Sequence, residues 1–96
     1  MKNNKIKPIR QKIDAIDHQI LKLIQKRGSL AQKIGDLKSL IDSNISFYKP
    51  SREAEILSNI SKLNQGPISE EKIKHIFEEI ISSCLSLEEQ LTIAYL

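Results

Sequence analysis

Between Ile6 and Ile41 the chain places Ile6, Ile9, Ile13, Ile16, Ile20, Leu23, Arg27, Leu30, Ile34, Leu37 and Ile41 at alternating steps of three and four. Ten of these eleven residues are Ile or Leu. Only a helix puts such positions on one stripe, and the unbroken alternation is that of a heptad seam. Pro8 suits the first turn of a helix, and no further proline occurs before Pro50. The expected helix is about 34 residues and about 50 Å long, from a rise of 1.5 Å per residue. The rest of a 96-residue chain cannot cover so long a helix. A second copy of the same helix is therefore expected to do so.

Two shorter helices complete an all-α reading. Asp42–Tyr48 reads as a loop, and Pro50 restarts a helix that runs to about Asn64. Its expected inner face is Ile56, Leu57, Ile60 and Leu63. Gly66-Pro67 stops it. Ser69 then caps a third helix with Glu70 and Glu71 in its first turn. Ile73, Phe77, Ile80, Cys84, Leu87 and Leu91 form its seam. Thr92–Leu96 (TIAYL) reads as a strand with no partner in this chain. The expected organisation is thus one helical domain over 1–91, followed at 92–96 by the start of another domain.

Composition excludes several classes. The net charge is +3, with 15 basic and 12 acidic residues. The cations are interleaved with acids, so no nucleic-acid stripe is expected. One cysteine excludes an internal disulfide. The first residues lead into no apolar signal segment, and no apolar run has the length of a membrane span. A cytoplasmic protein is the expectation. His18 and His75 have no Cys or His at ligand spacing, so no metal site is expected; no cofactor is expected either.

Arg27 is the one polar residue in the long seam. An unpaired buried guanidinium costs several kcal/mol. Two readings are open: it reaches solvent or a carboxylate, or it faces an anionic ligand held between helices. Gly28, Ala31 and Gly35 form a small-residue stripe beside it. Each mid-helix glycine costs about 1 kcal/mol against alanine, which suits a close approach of backbone or ligand. Lys38 lies eleven residues on, about 20° around and about 16 Å along the helix, so both cations share a side. The chain has twelve lysines and only three arginines: Arg10, Arg27 and Arg52. Arginine is the residue that grips a carboxylate bidentately. Arg10 stands about 25 Å from Arg27 along one helix, too far for one small metabolite. An antiparallel pairing about an axis near residue 21 would bring the partner's Arg10 between Arg27 and Lys38. Taken singly, Glu88 reads as a solvated acid beside Glu89, and Glu53 as a first-turn helix acid.

The stretch IRQKIDAIDHQILKLIQKR, then Gly35-Asp-Leu-Lys38, then FYKPSREAEIL resembles the helical chorismate mutases over about residues 6–90. The tail segments LNQGPISEE, IFEEIISSCLSLEE and TIAYL resemble proteobacterial proteins that join such a mutase to a prephenate dehydratase. The resemblance implies three helices per chain in an intertwined antiparallel homodimer that isomerises chorismate to prephenate. It implies that the partner's Arg10 and Arg27 clamp the two carboxylates. Lys38 would contact the ether oxygen and a carboxylate, Arg52 the anionic end, and Glu53 the ring hydroxyl. Three positions depart from the commoner pattern. Lys49 stands where many members have Asp, Cys84 where serine is common, and Glu88 where many have glutamine. All three would line the substrate site. The implied reaction is a unimolecular [3,3] rearrangement, which needs cations and shape rather than a nucleophile or base. For Glu88 to donate to the ether oxygen it must be protonated. Two other functions fit parts of the pattern: an isochorismate-pyruvate lyase of the same architecture, and a helical dimerisation or regulatory module. The second leaves Arg27 and the glycine stripe unexplained.

Overall fold

The computed structural model describes residues 2–41 and 50–94. The expected loop Asp42–Tyr48 and the candidate Lys49 lie outside the described residues. Three helices make up the rest: α1 (Lys2–Ile41), α2 (Pro50–Leu63) and α3 (Glu70–Ala94). The structure thus agrees with an all-α chain of three helices, one long and two shorter.

Two helix ends differ from expectation. α1 begins at Lys2 rather than near Pro8, which lies inside the helix. Proline there removes only the bond to the carbonyl of Asn4. Asn4 is exposed, so water can serve that oxygen. The expected strand at Thr92–Leu96 is also corrected. Thr92–Ala94 continue α3, while Tyr95 and Leu96 lie outside the described residues. Thr92 and Ile93 favour strands, but no neighbouring strand is present among the described residues. The carbonyls one turn back supply the partners instead.

The α2–α3 turn follows its local chemistry closely. Asn64 still donates its backbone N–H to the Ile60 carbonyl at 2.9 Å. Its side-chain oxygen accepts from Gly66 N–H at 3.3 Å, and its side-chain nitrogen donates to the Ile68 carbonyl at 3.2 Å. Gly66 adopts φ = 79°, a left-handed value that glycine takes without steric cost. Ser69 caps α3: its Oγ accepts from Lys72 N–H at 3.3 Å, and its carbonyl accepts from Ile73 N–H at 3.1 Å. The Ser61 hydroxyl donates to the Glu70 carboxylate, tying the end of α2 to the start of α3.

α3 packs against both α1 and α2. Ala31 and Cys84 are the buried apolar side chains among the described residues, and they lie on α1 and α3. Ile73, Phe77, Ile80 and Leu87 of the expected α3 seam are half-buried. On α2, Ile56, Leu57 and Ile60 are half-buried as expected. Leu63 is 74% exposed, so the inner face of α2 ends one turn sooner than its periodicity suggests.

The α1 seam is uncovered. Ile6, Ile9, Ile13, Ile16, Ile20, Leu23, Leu30, Ile34 and Leu37 are all exposed. The molecule measures 63 × 26 × 14 Å, with a radius of gyration of 17.7 Å. A compact chain of this length would have about 12 Å. Its surface is 8149 Å², against about 5600 Å² for a typical monomer of this mass. The excess of about 2500 Å² is on the scale of what large, permanent interfaces bury. Among the described residues no helix is long and apolar enough to cross a membrane.

Candidate active site

Side chains of all three helices line an open cleft of about 290 Å³, with α1 and α2 on either side of α3. α1 contributes Arg27 and Lys38, α2 contributes Arg52 and Glu53 from its first turn, and α3 contributes Cys84 and Glu88. Six of the eight site residues expected from the sequence therefore line one space. Arg10 is exposed on the uncovered half of α1 and does not line the cleft of its own chain. The eighth, Lys49, is outside the described residues.

Helix geometry explains the convergence. Arg27, Leu30, Ala31, Ile34 and Lys38 occupy positions i, i+3, i+4, i+7 and i+11, so they share one face of α1. On α3, Ile81, Cys84, Leu85 and Glu88 occupy positions i, i+3, i+4 and i+7. Gly28, Ala31 and Gly35 are buried, so the small-residue stripe is where α1 and α3 come close. Apolar walls come from Leu30, Ile34, Ile56, Ile81 and Leu85.

Polar surroundings differ among the ionisable groups. Arg27 is half-buried, and among the described residues no carboxylate forms an ion pair with it. Arg52 pairs with Glu55 at 2.7 Å, but both side chains are mostly exposed. Such a surface pair contributes about 0–1 kcal/mol, so an incoming anion can displace it cheaply. Glu88 is 8% exposed and is the buried charged side chain among the described residues. The reading of Glu88 as a solvated acid is thereby overturned. Neither Lys38 nor Glu88 is without a partner.

Sequence reasoning does not single out Ile81 and Leu85. The signal is present in their spacing around Cys84 and Glu88. It is hidden because the more regular stripe through Ile80, Cys84 and Leu87 reads as the working face of the helix. Cys84 stands on the border of both stripes.

Three cations and two carboxylates line the cleft, around apolar walls. With both acids ionised the side-chain charge is +1. Among the described residues no group of His, Cys, Asp and Glu could hold a metal ion. An all-helical domain with a cation-rich, apolar-walled cleft lined by three helices is the class that this arrangement defines. The chain belongs to the family described as chorismate mutase type II, which matches residues 9–89. A bifunctional chorismate mutase/prephenate dehydratase of Aquifex aeolicus is 43% identical over 95 residues, covering 95% of this chain and 26% of the relative. This chain thus spans about a quarter of the length of the bifunctional relatives it matches. A chorismate mutase of Methanocaldococcus jannaschii is 38% identical over 87 residues, covering 90% of this chain and 86% of the relative. The solved chorismate mutase (form II) of Thermus thermophilus superposes with a TM-score of 0.83 at 36% identity, over 88% of this chain and 94% of that one.

Proposed function

We propose that this chain isomerises chorismate to prephenate, as a cytoplasmic enzyme of aromatic amino-acid biosynthesis, and that it does so as an intertwined antiparallel homodimer. The observation that carries the reading is the gathering of Arg27, Lys38 and Arg52 around one apolar-walled cleft of about 290 Å³. Chorismate is a dianion with an apolar ring, and this lining answers both halves of it.

The rearrangement breaks a C–O bond and forms a C–C bond within one molecule. No proton has to move and no covalent intermediate forms. The site must hold the folded conformer and stabilise charge that develops on the ether oxygen. Arg27 grips one carboxylate and the partner's Arg10 the other. Lys38 donates to the ether oxygen and a carboxylate. Arg52 supports the anionic end, and Glu53 accepts from the ring hydroxyl. Lys49 and Cys84 border the substrate. Ile81 and Leu85 pack against the ring and exclude water, which strengthens each charged contact.

The uncovered α1 seam and the large excess surface support the pairing itself. Under this reading the melting temperature rises with protein concentration, because only the paired state buries the seam. Calorimetry across a hundredfold dilution checks this, and a constant midpoint would argue against pairing.

Glu88 makes a pH prediction. As a carboxylate it repels the ether oxygen, and as a carboxylic acid it donates to it. Burial to 8% exposure disfavours the charged form, while the cations nearby favour it. Activity is therefore present below the pKa of Glu88 and declines as pH rises through it. Glu88→Gln, a donor at every pH, flattens the profile. Superimposable pH–rate curves for the two proteins would remove Glu88 from the role of ether-oxygen donor.

The direct test of function follows the loss of chorismate ultraviolet absorbance and identifies the product. Prephenate is the expected product. Isochorismate is assayed in parallel, and pyruvate release from it without turnover of chorismate would favour a lyase. We also propose a prephenate dehydratase domain in the full-length protein, supported by the four bifunctional relatives. Dehydratase activity of the natural gene product is its test.

A further inference from the structure

Gly28 is buried at the α1–α3 contact, and a Cβ built on it would stand 3.3 Å from Leu87 Cδ1. That is tighter than ordinary van der Waals contact, so glycine at 28 is matched to leucine at 87. Neither residue lines the cleft. Each adjoins one that does: Gly28 follows Arg27 on α1, and Leu87 precedes Glu88 on α3. On the same two helices the buried Ala31 and Cys84 line the cleft.

We infer that Gly28 and Leu87 act as a spacer that sets the gap between Arg27 and Glu88, making them a positioning pair for the reaction. The inference rests on the mutase reading above. Its physical basis is the placement of the three helices. α3 packs against both other helices: Leu57 of α2 shares a groove with Glu70 and Ile73, and Arg52 of α2 lines the cleft together with Cys84 and Glu88. A side chain added at 28 therefore shifts α3, which carries Glu88, away from α1, while Arg27 and Lys38 keep their places on α1. The carboxylate grips stay near their positions while the group facing the ether oxygen is displaced.

The test is a double-mutant cycle on the dimer, with kcat, KM and melting temperature read for each protein. Gly28→Ala adds one methyl group that Leu87 must yield to by a few tenths of an ångström. It is expected to lower kcat about three- to tenfold, since misplacement by 1 Å costs about a hundredfold. KM stays near the wild-type value. The melting temperature holds or rises, because alanine is the better helix former. Leu87→Val removes the methyl that meets the new Cβ, so Gly28→Ala made in that background leaves kcat unchanged. A general packing defect would instead lower melting temperature and kcat together. The spacer is overturned if Gly28→Ala keeps wild-type kcat, if kcat and stability fall together, or if the loss persists beside Leu87→Val. Wild-type protein inert toward chorismate removes the activity itself and the spacer with it, a result seen before any variant is made.

Discussion

Arg27→Ala is expected to lower kcat/KM for chorismate by about 10²- to 10³-fold, the usual effect of removing one well-placed charged donor. The folded state should lose little. Arg27 is half-buried without an ion-pair partner among the described residues, so its removal strands no buried carboxylate. A large loss of rate with an unchanged melting temperature therefore separates binding of the dianion from maintenance of the fold. Arg27→Lys keeps the charge but loses the planar fork, and it should recover only part of the rate. Steady-state kinetics on the three proteins is the measurement. If Arg27→Ala turns over chorismate like the wild type, the cleft is not where the reaction occurs.

Mixing two inactive variants should restore activity. Arg10→Ala spoils every site by way of the partner, and Arg27→Ala spoils every site from within. In a mixed dimer, the Arg10→Ala chain keeps its own Arg27 and receives Arg10 from the Arg27→Ala chain, so one site is whole. The other site lacks both. Random reassociation of equal amounts gives half mixed dimers with one good site each, or about a quarter of wild-type activity. The two proteins are unfolded together, refolded and assayed against each parent refolded alone. A mixture no more active than its parents would show that Arg10 and Arg27 do not meet across subunits. An Arg10→Ala protein with full activity would show that Arg10 serves no site at all.

The fold is legible because its constraints are local. Heptad spacing marks α1, the Asn64–Gly66 turn marks the end of α2, and Ser69 marks the start of α3. What misleads is also local. Pro8 reads as a boundary because proline opens helices, yet a helix end close to solvent tolerates it. Thr92 and Ile93 carry an intrinsic strand preference, but a strand requires a neighbour and a helix only its own preceding turn.

The candidate site is partly legible for a related reason. Arg27 and Lys38 share a face by simple rotation, so their convergence follows from the residue count between them. Glu88 requires knowledge of how α3 is rolled against α1. Two overlapping stripes cross at Cys84, and periodicity alone does not say which one faces the cleft. Close approach at Gly28 and Ala31 decides it, and that is a property of two helices together. No single helix encodes it.

Under the proposed pairing, the bare row of isoleucines along α1 ties the appearance of activity to the chain's own abundance. There a newly made chain lacks the Arg10 that each site takes from the partner, and it offers a greasy edge to whatever it meets first. Its maturation is then a second-order event, slow when transcripts are scarce and fast when they are plentiful. Lowering expression would cost catalysis more steeply than it costs protein.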